Sequence, residues 1–86
     1  MTKVVIYSKD YCPYCKSAKA LLSQRNIPFK EVLIHENDEA AFKQLCKRSG
    51  MRTVPQIFYG EKLIGGFMEL AELDKHDKLK SLVGAS

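Results

Sequence analysis

The chain has 86 residues, 45% of them hydrophobic and 28% charged, which suffices for one compact domain spanning 1–86 and is too short for a catalytic unit joined to a regulatory one. Fourteen Lys and Arg against ten Asp and Glu leave a net charge of +4, scattered along the chain with no basic cluster longer than Lys47-Arg48, so no nucleic-acid-binding tail is expected. No stretch approaches a membrane span, and the apolar run 4–7 is too short for the core of a signal peptide, so a cytoplasmic protein is expected.

Residues 3–7 form a short β-branched run closed by the polar Ser8-Lys9-Asp10, the pattern of a buried strand running into a loop. From Pro13 onward Cys15, Ala18, Leu21 and Leu22 recur at helical spacing, with Lys16, Lys19, Ser23 and Gln24 on the other face. Pro13 suits a first helical turn, where its missing N–H has no partner to lose, and Asn26-Ile27-Pro28 ends the helix. Residues 29–34 alternate too weakly for a surface strand and fit a parallel partner of the first, which makes a right-handed βαβ unit.

Glu36-Asn37-Asp38-Glu39 is acidic where a second helix begins; Phe42, Leu45 and Cys46 give that helix an apolar face, and Gly50 stops it. Residues 56–59 and 62–64 flank Gly60-Glu61, the signature of a tight hairpin, which Gly65-Gly66 closes. Leu70, Leu73, Leu79, Leu82 and Val83 supply a last helical face, interrupted by the charged residues 74–78, which predicts a kinked or split helix. The order βαβαββα is that of an α/β domain with a four-stranded mixed sheet and helices on both faces.

Three cysteines are too few and too unevenly placed for a disulfide-stapled secreted domain, and two of them form Cys12-Pro13-Tyr14-Cys15. Disulfide exchange needs one thiolate that attacks and a second thiol near enough to resolve the mixed disulfide, and this spacing at a helix start supplies both. Cys12 is the better nucleophile, because it precedes the helix where free N–H groups favour an anion, with Lys9 and Lys16 adding positive charge. Cys15 lies one turn in, on the apolar side.

A zinc or iron–sulfur knuckle is the structural alternative, but the pair supplies two of four ligands, and His35, Cys46 and His76 are poorly placed to complete the set; no metal is expected. Cys46 shares a helical face with Phe42 and Leu45 and reads as a small buried apolar residue. His35 and His76 read as surface residues, since a thiolate already formed needs no base.

Together with Cys12-Pro13-Tyr14-Cys15, the run Thr53-Val54-Pro55-Gln56-Ile57-Phe58, the pair Gly65-Gly66 and the following Glu69-Leu70 resemble a dithiol glutaredoxin over nearly the whole chain. The resemblance implies a thioredoxin-like fold and a glutathione-dependent oxidoreductase acting on protein disulfides and glutathione mixed disulfides. It also implies a catalytic pair Cys12 and Cys15 and a glutathione groove. In that groove Pro55 is cis and turns the Val54 backbone toward the ligand, Thr53 stands at the edge, and Tyr14 forms a wall. Lys9 meets the glycyl carboxylate.

Gly65 and Gly66 let the backbone approach the ligand, and the helix start at Phe67, Met68 and Glu69 presents N–H groups to the γ-glutamyl carboxylate. Many members have Ser, Thr or Asp followed by Asp where this chain has Met68 and Glu69. The partners implied are glutathione, disulfide-bonded or glutathionylated proteins and, indirectly, glutathione reductase with NADPH; a monomer without membrane or nucleic-acid contacts is expected. A thioredoxin-like electron donor and an iron–sulfur cluster carrier remain the alternatives.

Overall fold

The computed structural model describes residues 3–10 and 12–79. Strand β1 (Val4–Ser8) leads into helix α1 (Pro13–Gln24), strand β2 (Phe29–Leu33), helix α2 (Glu39–Ser49), the hairpin β3 (Gln56–Tyr59) and β4 (Lys62–Gly65), and helix α3 (Phe67–Lys75). The strands lie in the order β2-β1-β3-β4, with β1 and β2 parallel and the other pairings antiparallel. This is the four-stranded mixed sheet that the element order predicts, in the thioredoxin-like arrangement that the resemblance implied.

The sheet is covered differently on its two faces. Alternation along β1 sends Val4, Ile6 and Ser8 to one face, where Val4 and Ile6 pack with Ile57 against Ala18 and Leu22 of α1 and Leu70 of α3. The other face carries a smaller cluster in which Phe58 and Ile34 meet Leu45 of α2. The C-terminal end of α1 is tied to α3 by a two-pronged contact, Arg25 Nε to Asp74 Oδ1 at 2.6 Å and Arg25 Nη2 to Asp74 Oδ2 at 3.0 Å.

Helix ends follow their local chemistry. Asp38 caps α2 by accepting from the Ala41 N–H at 3.2 Å, and Gly50 closes it in the left-handed region at φ 79. Helix α3 ends at Lys75 because Asp77 turns into the left-handed region at φ 56; the predicted break falls here, with Leu79 buried beyond it. Leu82 and Val83 lie outside the described residues.

Two expectations are corrected. Strand β2 is parallel to β1 but sits at the sheet edge, with Lys30, Glu31 and Leu33 exposed, because among the described residues no strand flanks its outer side. Cys46 is half-buried rather than buried: α2 buries Leu45, while the Cys46 sulfur stands 3.9 Å from Gln56 Nε2 at the helix margin.

Candidate active site

Strand β1 delivers the chain to the site. Its last residue, Ser8, is buried, and its hydroxyl donates to Glu31 Oε2 at 2.6 Å. The loop that follows ends on Cys12, which is the N-cap of α1, with extended backbone at φ −113 and ψ 101 and Pro13 in the first turn. In that position the Cys12 sulfur accepts the Cys15 backbone N–H at 3.2 Å. A free N–H at a helix start, together with the positive end of the helix dipole, stabilises negative charge on a capping sulfur.

Cys15, one turn on, is 2% exposed. Burial pushes its thiol up to about 12, and the hydrogen bond with Cys12 adds to the rise; the Lys9 backbone N–H and the Lys19 ammonium pull the other way without cancelling it. The two cysteines are therefore unlike: one sulfur faces a helix N-terminus at the surface, the other is held protonated in the core. Because the folded thiol titrates above the ordinary value of 9.0, its contribution to stability is complete below about pH 9 and is lost as pH rises toward about 12. Denaturant titrations of the reduced protein should show this alkaline loss, and Cys15→Ser should show less of it; equal slopes in both would contradict the burial assignment.

The second wall comes from the loop before β3. The Val54–Pro55 bond is cis, as the resemblance implied, and the Val54 carbonyl oxygen lies 3.8 Å from the Cys12 sulfur. Gln56, fully buried, donates from Nε2 to the Thr53 carbonyl at 3.0 Å and so ties the 53–55 segment to the core. The third wall is the start of α3. There Glu69 Oε1 accepts the Gly66 N–H at 2.7 Å, which caps the helix from within.

These walls bound an open groove of about 410 Å³ lined by Tyr14 of α1, by Met51, Thr53, Val54 and Pro55 of the loop before β3, and by Gly66, Phe67, Met68 and Glu69 at the start of α3. Tyr14 and Met68 are exposed at its rim, and the Tyr14 and Phe67 rings stand 6.2 Å apart. The structure thus brings together the groove residues named from the sequence with two exceptions, Gly65, which ends β4 just outside the lining, and Lys9. The Lys9 ammonium sits 3.6 Å from the centre of the Phe42 ring on α2 in a cation–π contact, and Lys9 is not among the residues that line the groove.

Met51 was missed from sequence; the available signal is its place just after the Gly50 helix stop, on the loop that leads into Thr53. Gln56 was missed as a positioning residue because a polar residue opening a strand does not announce its own burial. His35 and His76 are exposed, and His76 pairs with Glu72 at 3.0 Å. Among the described residues no group of three His, Cys, Asp or Glu side chains could hold a metal ion. Among them, too, no helix is long and apolar enough to cross a membrane.

Comparison with known proteins places these features in context. The glutaredoxin family model matches residues 4–64. Glutaredoxin 3 of Escherichia coli strain K12 is 46% identical over 83 residues, covering 96% of this chain and 99% of that protein. Among solved structures, the crystal structure of a buckwheat glutaredoxin–glutathione complex superposes with a TM-score of 0.87 at 31% identity, over 95% of this chain and 76% of that one. The solution structure of glutaredoxin from Brucella melitensis gives a TM-score of 0.83 at 38% identity, over 100% of this chain and 95% of that one.

Proposed function

The chain belongs to the glutaredoxin family of glutathione-dependent thiol-disulfide oxidoreductases, and from that premise we propose that Cys12 is its attacking thiol and Cys15 its resolving one. The observation that carries this reading is the unlike setting of the two sulfurs. Cys12 Sγ caps α1 and accepts an N–H at 3.2 Å, whereas Cys15 is buried and protonated.

The Cys12 thiolate attacks the glutathione sulfur of a glutathionylated substrate; the substrate sulfur leaves as a thiolate, and glutathione stays on Cys12. A second glutathione thiolate attacks the glutathione sulfur of that mixed disulfide, releasing glutathione disulfide and restoring Cys12. With a protein disulfide, Cys12 attacks one sulfur, Cys15 attacks Cys12 in turn, and two glutathiones reduce the resulting Cys12–Cys15 bridge. Cys15 is needed only in the second branch.

Glutathione, the ligand in the buckwheat complex, suits the groove chemically. Its cysteinyl backbone would lie along the Val54 backbone as a short added strand, with Thr53, Pro55 and Tyr14 as flanking contacts. The α3 start at Phe67, Met68 and Glu69 would receive the γ-glutamyl carboxylate through backbone N–H groups, with Gly66 leaving room for its approach. Glu69 already bonds the Gly66 N–H, and its remaining oxygen would face the γ-glutamyl ammonium. Lys9 would reach the glycyl carboxylate by leaving Phe42.

Disulfide-bonded or glutathionylated proteins are the substrates, glutathione reductase and NADPH close the cycle, and a monomer in the cytoplasm fits a glutathione-driven reductant. The test is steady-state reduction of a glutathione mixed disulfide in the presence of glutathione, glutathione reductase and NADPH. Robust turnover is expected, and none from folded, reduced protein would reject the reading. Cys15→Ser should retain this activity and lose reduction of protein disulfides; loss of both in a folded variant would refute the division of labour.

A further inference from the structure

On the sheet-facing side of α1, a charge arrangement has no part in the scheme above. Cys15 and Lys19 are one turn apart on α1, so their side chains leave the same side of the helix. The Lys19 ammonium lies 2.8 Å from Glu31 Oε2 on β2, and that same oxygen accepts the Ser8 hydroxyl at 2.6 Å. Ser8 is 1% exposed, so its hydroxyl depends on this bond and fixes the carboxylate in place. A free lysine samples many rotamers; this one is held by a carboxylate that is itself anchored.

We propose that Lys19, oriented by Glu31 and Ser8, is a positioning residue for the resolving step, its ammonium favouring the Cys15 thiolate when Cys15 attacks Cys12. The inference rests on the two-branch reading above. In the step, Cys15 gives its proton to solvent and its thiolate attacks the Cys12 sulfur. The Cys12–Cys15 bond forms, the bond from Cys12 to the substrate or glutathione sulfur breaks, and that sulfur leaves as a thiolate that solvent reprotonates.

The groups that act on Cys15 besides its burial are the Cys12 sulfur, the Lys9 backbone N–H and Lys19, whose ammonium is paired with Glu31. Cys12 and Lys19 act in opposite directions in the reduced protein. Once Cys12 is in a mixed disulfide it carries no charge, its repulsion is gone, and the attraction from Lys19 stands against the cost of burial. Burial still disfavours the Cys15 thiolate in that state, so the Lys19 charge enters the resolving rate directly.

The experiment is a single-turnover reaction of the reduced protein with a glutathionylated peptide, quenched with acid across about pH 6 to 10 and read as formation of the Cys12–Cys15 bridge. Lys19→Met should slow bridge formation by roughly three- to tenfold near neutrality and move its pH profile to higher pH. Lys19→Glu should move it further, and Lys19→Arg should stay close to the parent. Profiles that coincide for Lys19→Met, Lys19→Glu and the parent would overturn the proposal. So would equal slowing in all three variants with no pH displacement, the mark of a packing role. Absence of the bridge in the parent protein would instead reject the two-branch reading, and this inference with it.

Discussion

Replacing Cys12 by Ser should remove both activities, with turnover falling by about a thousandfold or more to the uncatalysed background. A hydroxyl at this position cannot form a mixed disulfide, so no part of the cycle survives. The fold should not suffer, because the residue is the N-cap of α1 and its side chain accepts the Cys15 N–H at 3.2 Å. Serine is among the preferred N-cap residues and can accept the same N–H. Loss of activity with an unchanged or slightly raised Tm is therefore the expected pair of results. Retention of even a tenth of the parent turnover would move the attacking sulfur elsewhere, to Cys15 or Cys46, about which coupled turnover and thermal melts together would leave no ambiguity.

Gly65→Ala should cost about 2 to 4 kcal/mol, a Tm drop of more than roughly 10 °C for a domain of this size. Gly65 is in the left-handed half of backbone space at φ +131, and an added Cβ would stand 2.7 Å from both Cβ and Cγ of Glu69. Neither the backbone of β4 nor the first turn of α3 can yield without parting the two, and the Glu69 carboxylate that caps Gly66 at 2.7 Å would be displaced. The groove should weaken with the fold, since the α3 start forms one of its walls. Gly50 provides the control: it also has positive φ, at +79, but an added Cβ there meets nothing within 4 Å, so Gly50→Ala should cost only about 1 kcal/mol. Equal losses at the two positions, measured by denaturant titration, would show that close approach to Glu69 contributes nothing.

Much of this architecture is legible in the sequence because the local signals agree with one another. The β-branched run of β1, the helical spacing of Ala18 and Leu22, the Gly50 stop and the Gly60-Glu61 turn each name one element, and all are found. The cysteine pair and the loop before β3 are also legible, since their order along the chain is itself the signal. Strand order is another matter. The exposure of Leu33 follows from β2 lying at the edge, and edge or centre depends on crossovers that no local pattern encodes.

Side-chain commitments are hidden in the same way. The Lys9 ammonium is drawn to the Phe42 ring because α2 passes beside the loop, and Phe42 is more than thirty positions away in the chain. Glu69 is legible as an acid at a helix start, but its choice of the Gly66 N–H depends on the turn that Gly65 makes. Cys46 fits an apolar helical face by spacing, yet α2 is the described helix against the Phe58 cluster and buries only the centre of its stripe, at Leu45.

The most direct test is peptide mapping by mass spectrometry of protein quenched after one turnover with a glutathionylated peptide. The account predicts glutathione on Cys12 in Cys15→Ser and a Cys12–Cys15 bridge in the parent chain, with Cys46 unmodified in both. Glutathione carried on Cys15 or Cys46 while Cys12 remains a free thiol would contradict it.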